Sequence, residues 1–328
     1  MKAIFYSKYG APDQLQLKEV EKPTPGDNEV LVEIHAATVT VGDVYTVKGE
    51  PFLTRFWTGL LEPKNRIPGK EMAGRVEAVG ANVTQFQPGD EVFGDLSGCG
   101  LGALAEYVAV PEDAIALKPA NLTFEEAAAV PESALVALQG LRDKGKIQAG
   151  QMVLINGSSG GVGTFAVQIA KSFGANVTAV CSTKNLDSAR SMGADRVIDY
   201  MQEDFTQNGK RYDLILAANG YHPISDYRRA LNPEGFYVAT GGTMAQIFQA
   251  MMLGPIISMT GRKTMGNMLV KPNKNDLVVM KELIESGKVT PVIDRRYALS
   301  EVRDAFRYVE EGHAQGKVVI RVHQNGEA

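Results

Sequence analysis

In the first third of the chain, apolar and β-branched residues come in short runs that are broken by Gly and Pro. Turn segments such as Gln87 to Asp90 separate these runs. The clearest strand candidates are Glu29 to Ile34, Met72 to Val79, Asp90 to Phe93 and Ala105 to Val110. This spacing predicts an antiparallel, barrel-like domain over residues 1–120.

From about residue 121 the pattern changes. An Ala-rich helical segment, Thr123 to Leu141, leads into alternating strand and helix units. The strand candidates there are Met152 to Asn156, Val177 to Cys181, Arg196 to Ile198, Asp213 to Ala217 and Phe236 to Ala239. This alternation predicts an α/β domain with a doubly wound parallel sheet over residues 121–271. We expect residues 272–328, which end in a strand from Lys317 to Val322, to return to the first domain.

The segment LINGSSGGVG begins within the strand candidate at residues 152–156. Apolar residues then recur at helical spacing, at Val162, Phe165, Ile169 and Phe173. A strand end therefore meets a helix N-terminus, where free N–H groups favour a phosphate and glycines let a pyrophosphate approach the main chain. The expected contacts are Gly157, Ser158, Gly160, Gly161, Val162 and Gly163. Because Ser159 replaces the second glycine of G-x-G-x-x-G, a glycine-rich turn without a ligand stays open.

The end of the second strand of this domain indicates which dinucleotide binds. An NAD site would carry an acidic residue there for the ribose hydroxyls, but the sequence reads Cys181-Ser-Thr-Lys-Asn185. Hydroxyls beside a cation suit a 2′-phosphate, so we predict NADPH. The expected contacts are Ser182, Thr183 and Lys184, with Tyr200 as a stacking or hydrogen-bonding neighbour. The alternative for Lys184 is an ordinary exposed lysine.

The composition limits the kinds of partner that we expect the protein to bind. The chain has 328 residues and a net charge of −4, with no stripe of Lys or Arg, so nucleic acid is not favoured as a partner. The start MKAIFYSKYG lacks the apolar core of a signal peptide, and no apolar stretch reaches the roughly 18 residues of a membrane span. Only Cys99 and Cys181 are present, which suits a reducing compartment. We predict a cytoplasmic protein that does not bind membranes.

Several segments together resemble the zinc-free medium-chain dehydrogenases/reductases of the quinone oxidoreductase and zeta-crystallin-like branch. They are the N-terminal MKAIFYSKYG, Val39 to Tyr45, Pro68 to Gly80, Pro88 to Gly94, the loop ending at Gly163, and Gly316 to Ile320. The resemblance covers nearly the whole chain. It implies a GroES-like catalytic domain, split in sequence around a Rossmann domain, with the active site in the cleft between them.

The zinc ligands of metal-dependent relatives are missing. Those enzymes use a catalytic Cys and the His of a G-H-E motif, which are ligands that suit tetrahedral zinc. Here the segment Thr40 to Asp43 contains no Cys, and the G-H-E position reads Gly69-Lys70-Glu71. We therefore predict that no metal is bound.

Without a Lewis acid, the favoured substrates are those that stabilise added hydride by conjugation, namely quinones and α,β-unsaturated carbonyls. The resemblance implies that Tyr45 borders the nicotinamide and donates to the developing oxyanion; a packing aromatic is the alternative. Many members have Asn at Thr40 and Thr at Val136, so contacts to the carboxamide differ here, although Thr40 still offers a hydroxyl. We also expect Asn219, Gly241 and Lys317 to contact the cofactor.

Two apolar segments, Pro51 to Trp57 and Ile247 to Met259, suit a lipophilic pocket, although a Met-rich helix also serves as core or as a subunit contact. By analogy with the family, Lys263 to Val270 would pair with a second subunit in a homodimer. Two other functions stay open: an NAD(P)-dependent alcohol dehydrogenase, and a protein that binds NADPH without turnover.

Overall fold

The computed structural model describes residues 1–322. The strands are β1 Lys2–Phe5, β2 Gln16–Glu19, β3 Glu29–Val39, β4 Glu71–Val79, β5 Glu91–Asp95, β6 Tyr107–Pro111, β7 Ile115–Leu117, β8 Met152–Asn156, β9 Asn176–Cys181, β10 Arg196–Asp199, β11 Tyr212–Ala217, β12 Leu231–Ala239, β13 Thr264–Asn267, β14 Ile293–Ala298 and β15 Lys317–Arg321. The helices are α1 Val41–Lys48, α2 Arg55–Thr58, α3 Phe124–Ala128, α4 Pro131–Gln139, α5 Gly161–Ser172, α6 Leu186–Ser191, α7 Ile224–Ala230, α8 Met244–Thr260, α9 Lys274–Glu285 and α10 Val302–Glu310.

The chain forms two compact units. The first holds Met1–Glu132, Lys271–Glu285 and the chain from Pro291 onward, and the second holds Ser133–Val270 and Ser286–Thr290. Residues 121–132, which we expected in the second domain, lie in the first unit. The reason is local packing, because the ring of Phe124 in α3 stacks on that of His35 in β3, with 4.2 Å between ring centroids.

The first unit is built around a seven-stranded sheet in which β3 is central. The strand order is β14-β15-β3-β4-β5-β7, and β6 also pairs with β3. β15 runs antiparallel to β3, with Val318 opposite Val39, so the end of the described chain joins the sheet formed by its beginning. Fully buried residues such as Val32, Ile34 and Phe306 form the core. The predicted β-rich domain is confirmed.

The second unit contains a six-stranded sheet with the order β10-β9-β8-β11-β12-β13, and all of its strand pairs are parallel. This confirms the predicted doubly wound sheet. Its order changes direction between β8 and β11, and such a switch point opens a crevice at the carboxyl ends of the strands. The glycine-rich loop follows β8 and therefore lies at this crevice.

None of the helices between residues 1 and 322 combines the length and the apolar character that crossing a bilayer requires.

Candidate functional site

The glycine-rich loop of the second unit ends in a helix N-terminus that no side chain caps. Gly160 is the N-cap residue of α5, and no side-chain hydrogen bond closes this end of the helix. The first N–H groups of a helix lack partners within the helix, and they lie at the positive end of its dipole. The loop therefore offers hydrogen-bond donors to an anion, as the sequence predicted for a diphosphate.

Two glycines of this loop are required by their surroundings. Gly157 adopts φ +82°, a left-handed conformation, and a Cβ atom there would lie 2.7 Å from the backbone nitrogen of Asn219. A Cβ on Gly163 would lie 2.1 Å from the carbonyl oxygen of Gly157. Both approaches are too close for any side chain. The glycines thus allow the loop, the first turn of α5 and the segment after β11 to pack closely together.

Ser158 has a different role from the phosphate contact that we predicted. Its side chain is fully buried. Its hydroxyl and its backbone N–H both donate to the carbonyl oxygen of Val180, each at 3.0 Å. These bonds hold the loop against β9, so Ser158 positions the loop and is not available as a donor to a ligand.

A buried chain of hydrogen-bonded polar side chains connects the loops that follow β8 and β12. The sequence analysis did not predict it. The Asn156 amide donates to the Tyr227 hydroxyl at 2.9 Å, and this hydroxyl donates to Gln246 at 3.2 Å. Gln246 in turn donates to the carbonyl oxygen of Gly241 at 3.2 Å. The chain therefore links the loops that follow β8 and β12. The sequence feature that could have indicated this polar chain is Asn156, a polar residue at the end of an apolar strand.

The residues predicted for the 2′-phosphate gather at the carboxyl end of β9. Ser182 caps a short 3₁₀ turn and accepts a hydrogen bond from Asn185 at 3.1 Å, and Lys184 in that turn is exposed. Thr183 instead donates to Asp199 at the end of the neighbouring strand β10, at 2.6 Å. Tyr200, which follows β10, is 58% exposed. Ser182 and Lys184 thus form a polar, partly cationic surface, while the Thr183 hydroxyl is already engaged.

The prediction that Lys317 contacts the cofactor is corrected by the structure. Lys317 lies in β15 of the first unit with only 3% of its side chain exposed, and its ammonium forms an ion pair with Glu71, which is fully buried. Glu71 also accepts from the Thr38 hydroxyl and, at 2.7 Å, from the backbone N–H of Glu132. Lys317 is therefore a buried counter-ion that stabilises the first unit.

The two predicted catalytic residues lie at one helix of the first unit. Thr40 is the N-cap of α1, and Tyr45 lies on α1 with 41% of its surface exposed. Thr40 and Asp43 form a capping box, in which the Thr40 backbone N–H and hydroxyl donate to Asp43 Oδ2 at 2.9 and 2.8 Å. Asp43 itself is 1% exposed. The capping box fixes the position of the Thr40 hydroxyl.

Lys70 occupies the position of the zinc-binding histidine, and its ammonium is mostly buried. It donates to Glu132 at 3.1 Å, and it lies against Gly42, where a Cβ atom would come within 2.3 Å of Nζ. An ammonium is not a zinc ligand, because zinc takes thiolate, imidazole or carboxylate donors. Within residues 1–322, no three His, Cys, Asp or Glu side chains are arranged to hold a metal ion. The residues here do not fit a zinc centre.

The charges around Lys70 give its neighbours Glu132 and Asp43 different pKa values. Burial alone would lower the pKa of Lys70, but the charges of Glu132 and Asp43 raise it. Burial would raise the pKa of Glu132, yet Lys70 and Lys317 hold it below its usual range. Burial and the charge of Glu132 outweigh Lys70 and raise the pKa of Asp43 to about 6. Glu132 is thus an anion at neutral pH, and Asp43 titrates near neutrality.

The apolar segments that we predicted for substrate binding are exposed. In the first unit, Phe52, Phe56 and Trp57 are 58%, 59% and 76% exposed. In the second unit, the exposed residues of α8 are Met244, Phe248, Met251, Met252, Leu253, Ile256 and Met259. Exposed apolar surface of this extent is typical of a binding surface, so α8 is more than core packing. The strand order, the switch-point loop and the uncapped helix together are typical of a dinucleotide-binding unit.

Comparison with known proteins agrees with this class. The alcohol dehydrogenase GroES-like domain matches residues 26–120, and the zinc-binding dehydrogenase domain matches residues 192–320. The chain is 36% identical to the 2-methylene-furan-3-one reductase of Solanum lycopersicum, over 98% of this chain and 79% of that protein. It is 34% identical to the chloroplastic NADPH-dependent alkenal/one oxidoreductase of Arabidopsis thaliana, with the same coverage.

A solved structure gives the same result. The quinone oxidoreductase from Coxiella burnetii matches with a TM-score of 0.87 and 28% identity, covering 98% of this chain and 99% of that one. The chain therefore belongs to the medium-chain dehydrogenase/reductase family, in which it is similar to quinone and alkenal/one oxidoreductases.

Proposed function

We propose that this protein is a zinc-independent reductase that transfers a hydride from NADPH to a quinone or an α,β-unsaturated carbonyl. The observation that carries the proposal is the uncapped N-terminus of α5, which lies at the switch point of the parallel sheet. The acceptor class is supported by the relatives, which are named as a furanone reductase, an alkenal/one oxidoreductase and a quinone oxidoreductase.

The chain offers groups for each part of NADPH. The backbone of Gly160, Gly161, Val162 and Gly163 would hold the diphosphate, and Ser182 and Lys184 would hold the 2′-phosphate. Tyr200, Asn219 and Gly241 follow strands β10, β11 and β12 of the same sheet and would border the nucleotide. When bound, NADPH supplies the hydride. The role of the chain is to position the acceptor, to exclude water and to stabilise charge on the acceptor oxygen, for which Thr40 and Tyr45 are our candidates.

The proposed function is tested by following the loss of NADPH absorbance as the cofactor is oxidised. We expect oxidation of NADPH with 1,4-naphthoquinone and with small enones, and no comparable reduction of NADP⁺ with simple alcohols, because a simple alkoxide lacks conjugation and the site lacks a Lewis acid. Turnover of alcohols alone would replace our proposal with an alcohol dehydrogenase. Tight NADPH binding without turnover of any acceptor would indicate a non-catalytic binding protein.

The cofactor preference is tested by changing Ser182 and Lys184 to Ala together. Hydrogen bonds to charged groups are each worth about 1.5–3 kcal/mol, so we expect the KM for NADPH to rise about tenfold or more. The KM for NADH should stay within about twofold, because NADH lacks the 2′-phosphate. Lys210→Ala is the matched control, since Lys210 is an exposed lysine that precedes the amino end of β11. Equal effects on both cofactors would place the 2′-phosphate elsewhere.

We also propose that the protein is a cytoplasmic homodimer. β13 is an edge strand of the second sheet, and the neighbouring helix α8 exposes methionines. Both features suit a subunit contact of this sheet with its own copy.

A further inference from the structure

The Thr40 hydroxyl lies 2.8 Å from Asp43 Oδ2, and the direction of this hydrogen bond depends on the charge of Asp43. The hydroxyl donates to Asp43 in the capping box, where Asp43 is ionised. When Asp43 carries a proton, Oδ2 donates to the Thr40 oxygen, and the Thr40 hydroxyl can donate to another group. The geometry thus allows a hydrogen-bonded chain that begins at Asp43 and includes Thr40.

The charge balance of the first unit indicates where protons lie. Four carboxyl groups and two ammonium groups share this buried region; they are Asp43, Glu71, Asp95, Glu132, Lys70 and Lys317. If all were ionised, an excess of negative charge would be buried, which is costly. Within the described part of the chain, Asp43 Oδ1 and Asp95 Oδ2 are buried and have no hydrogen-bond partner. An ionised carboxylate would be poorly solvated there, so Asp43 and Asp95 are the groups that hold protons.

Lys70 keeps Glu132 ionised, whereas burial favours the neutral form of Asp43. Its ammonium donates to Glu132 and not to Asp43, although it lies against Gly42, the residue before Asp43. Glu132 therefore stays ionised, and its negative charge favours the protonated form of Asp43. The other titratable group whose field reaches Asp43 is Tyr6, which is buried and neutral, with its pKa raised by burial. Two carboxyl groups with opposite protonation are the arrangement expected of an acid and its supporting anion.

We propose that Asp43 stores the proton that each turnover consumes and passes it through the Thr40 hydroxyl to the reduced substrate, while burial of the Asp43 carboxyl group keeps this proton in place. The inference rests on the proposed function, because a reductase of α,β-unsaturated carbonyls consumes one proton in each turnover. Thr40 is then the catalytic residue that contacts substrate. Asp43, Glu132 and Lys70 are positioning residues that act through it.

The atoms and electrons of the step balance. The hydride forms a new C–H bond at the β-carbon of an enone, and the π electrons move to the carbonyl oxygen to give an enolate. The α-carbon of the enolate forms a new C–H bond with the proton of the Thr40 hydroxyl, which gives the saturated carbonyl. The Thr40 oxygen takes the proton of Asp43, and Asp43 becomes a carboxylate. After product release, Asp43 regains a proton from water. The sum is enone plus NADPH plus H⁺ to saturated carbonyl plus NADP⁺.

The first measurement detects the proton on Asp43 in the protein without cofactor. Infrared spectra of the cofactor-free protein should show the C=O stretch of a protonated carboxyl group at pH 5, and this band should weaken by pH 8. Asp43→Asn should remove that component, while Asp95→Asn removes a separate one. If the Asp43→Asn spectrum retains every protonated carboxyl component of the natural protein, Asp43 is ionised and the proposal fails.

The second measurement reads the transfer. With an enone, kcat should rise as the pH falls from 8 to about 6 and then level off, because the acid form of Asp43 is the active one. Asp43→Asn and Thr40→Val should lower this kcat roughly 100-fold and remove the pH dependence, and Thr40→Ser should restore it. Lys70→Met with Glu132→Gln removes both charges together and should move the rise in kcat to higher pH, because Lys70 lowers the pKa of Asp43 more than Glu132 raises it. Lys118→Met, at a buried lysine paired with Glu91, is the matched control and should leave kcat unchanged.

Turnover of quinones distinguishes failure of the proton relay from Asp43 through Thr40 from failure of the proposed reductase function. A reduced quinone takes its protons on oxygen, which water supplies rapidly, so Thr40→Val should lower naphthoquinone turnover less than threefold. An equal loss with both acceptors would make Thr40 and Asp43 a helix cap only, and would overturn the relay. Absence of turnover in the natural protein with every acceptor would instead overturn the proposed function. Unfolding temperatures of all variants identify any that fail to fold.

Discussion

Replacing Gly163 with Ala is expected to weaken NADPH binding about 100-fold or more and to lower the unfolding temperature by roughly 5 °C. The new Cβ atom would lie 2.1 Å from the carbonyl oxygen of Gly157 and 2.6 Å from the Cα atom of Ser158, and both are backbone atoms that cannot rotate away. The loop must therefore move off the first turn of α5. This movement would also disturb the N–H groups that we assign to the diphosphate.

Gly160→Ala is the matched variant for this prediction. A Cβ on Gly160 would meet nothing closer than 3.9 Å, and the φ of −83° at this position suits alanine. We expect the unfolding temperature to stay within about 1 °C, because no contact in the protein changes. NADPH titration by fluorescence and thermal unfolding would be measured for both variants. Binding by Gly163→Ala that matches the natural protein would show that the diphosphate does not rest on this loop.

The nucleotide-binding unit could be predicted largely from the sequence because its signals are local. The strand Met152–Asn156 was predicted with the bounds that the structure gives, and the helical spacing after it identified α5. A strand, a turn and a helix that are adjacent in sequence are also adjacent in space. The order of the sheet then follows from the rules of parallel α/β folds.

The polar cluster of the first unit could not be predicted because its members are far apart in sequence. Lys70 and Glu132 are separated by 62 positions, and Lys317 and Glu71 by 246. Pattern and spacing show that Lys70 replaces a histidine, but not that a glutamate beyond the β-rich segment neutralises it. The same limit explains the error at Lys317, whose role is set by a buried partner on another strand.

The direction of a small side chain is likewise set by tertiary contacts. Ser158 lies in a loop of phosphate-binding composition, yet its hydroxyl donates to Val180 on β9. Nothing in the sequence near Ser158 identifies that acceptor. The prediction placed the loop correctly at the strand end and was wrong about the direct role of this one residue.

Asp95→Asn is expected to stabilise the first unit above neutral pH. Burial raises the pKa of Asp95, the charge of Glu132 adds to this effect, and the folded-state pKa reaches about 7, compared with 3.8 for the free side chain. Because folding favours the protonated form, the stability from this group is complete below pH 3.8 and is lost as the pH rises through 7. The difference corresponds to on the order of 4 kcal/mol at pH 8.

The asparagine variant keeps the two hydrogen bonds that Asp95 Oδ1 accepts, so the pH dependence of its stability reports the charge of Asp95. Asp95 Oδ1 accepts from the backbone N–H of Ser97 at 2.9 Å and from its hydroxyl at 2.6 Å, and an amide oxygen accepts both bonds equally. Urea unfolding should therefore show Asp95→Asn gaining stability relative to the natural protein as the pH rises from 5 to about 7, with the gain levelling off by pH 8.5. Asp113→Asn, at an exposed carboxylate of the same unit, should show no such gain. Parallel stability profiles for Asp95→Asn and the natural protein would mean that Asp95 is ionised in the fold, and the proton count around Lys70 would then assign the second proton to another carboxyl group.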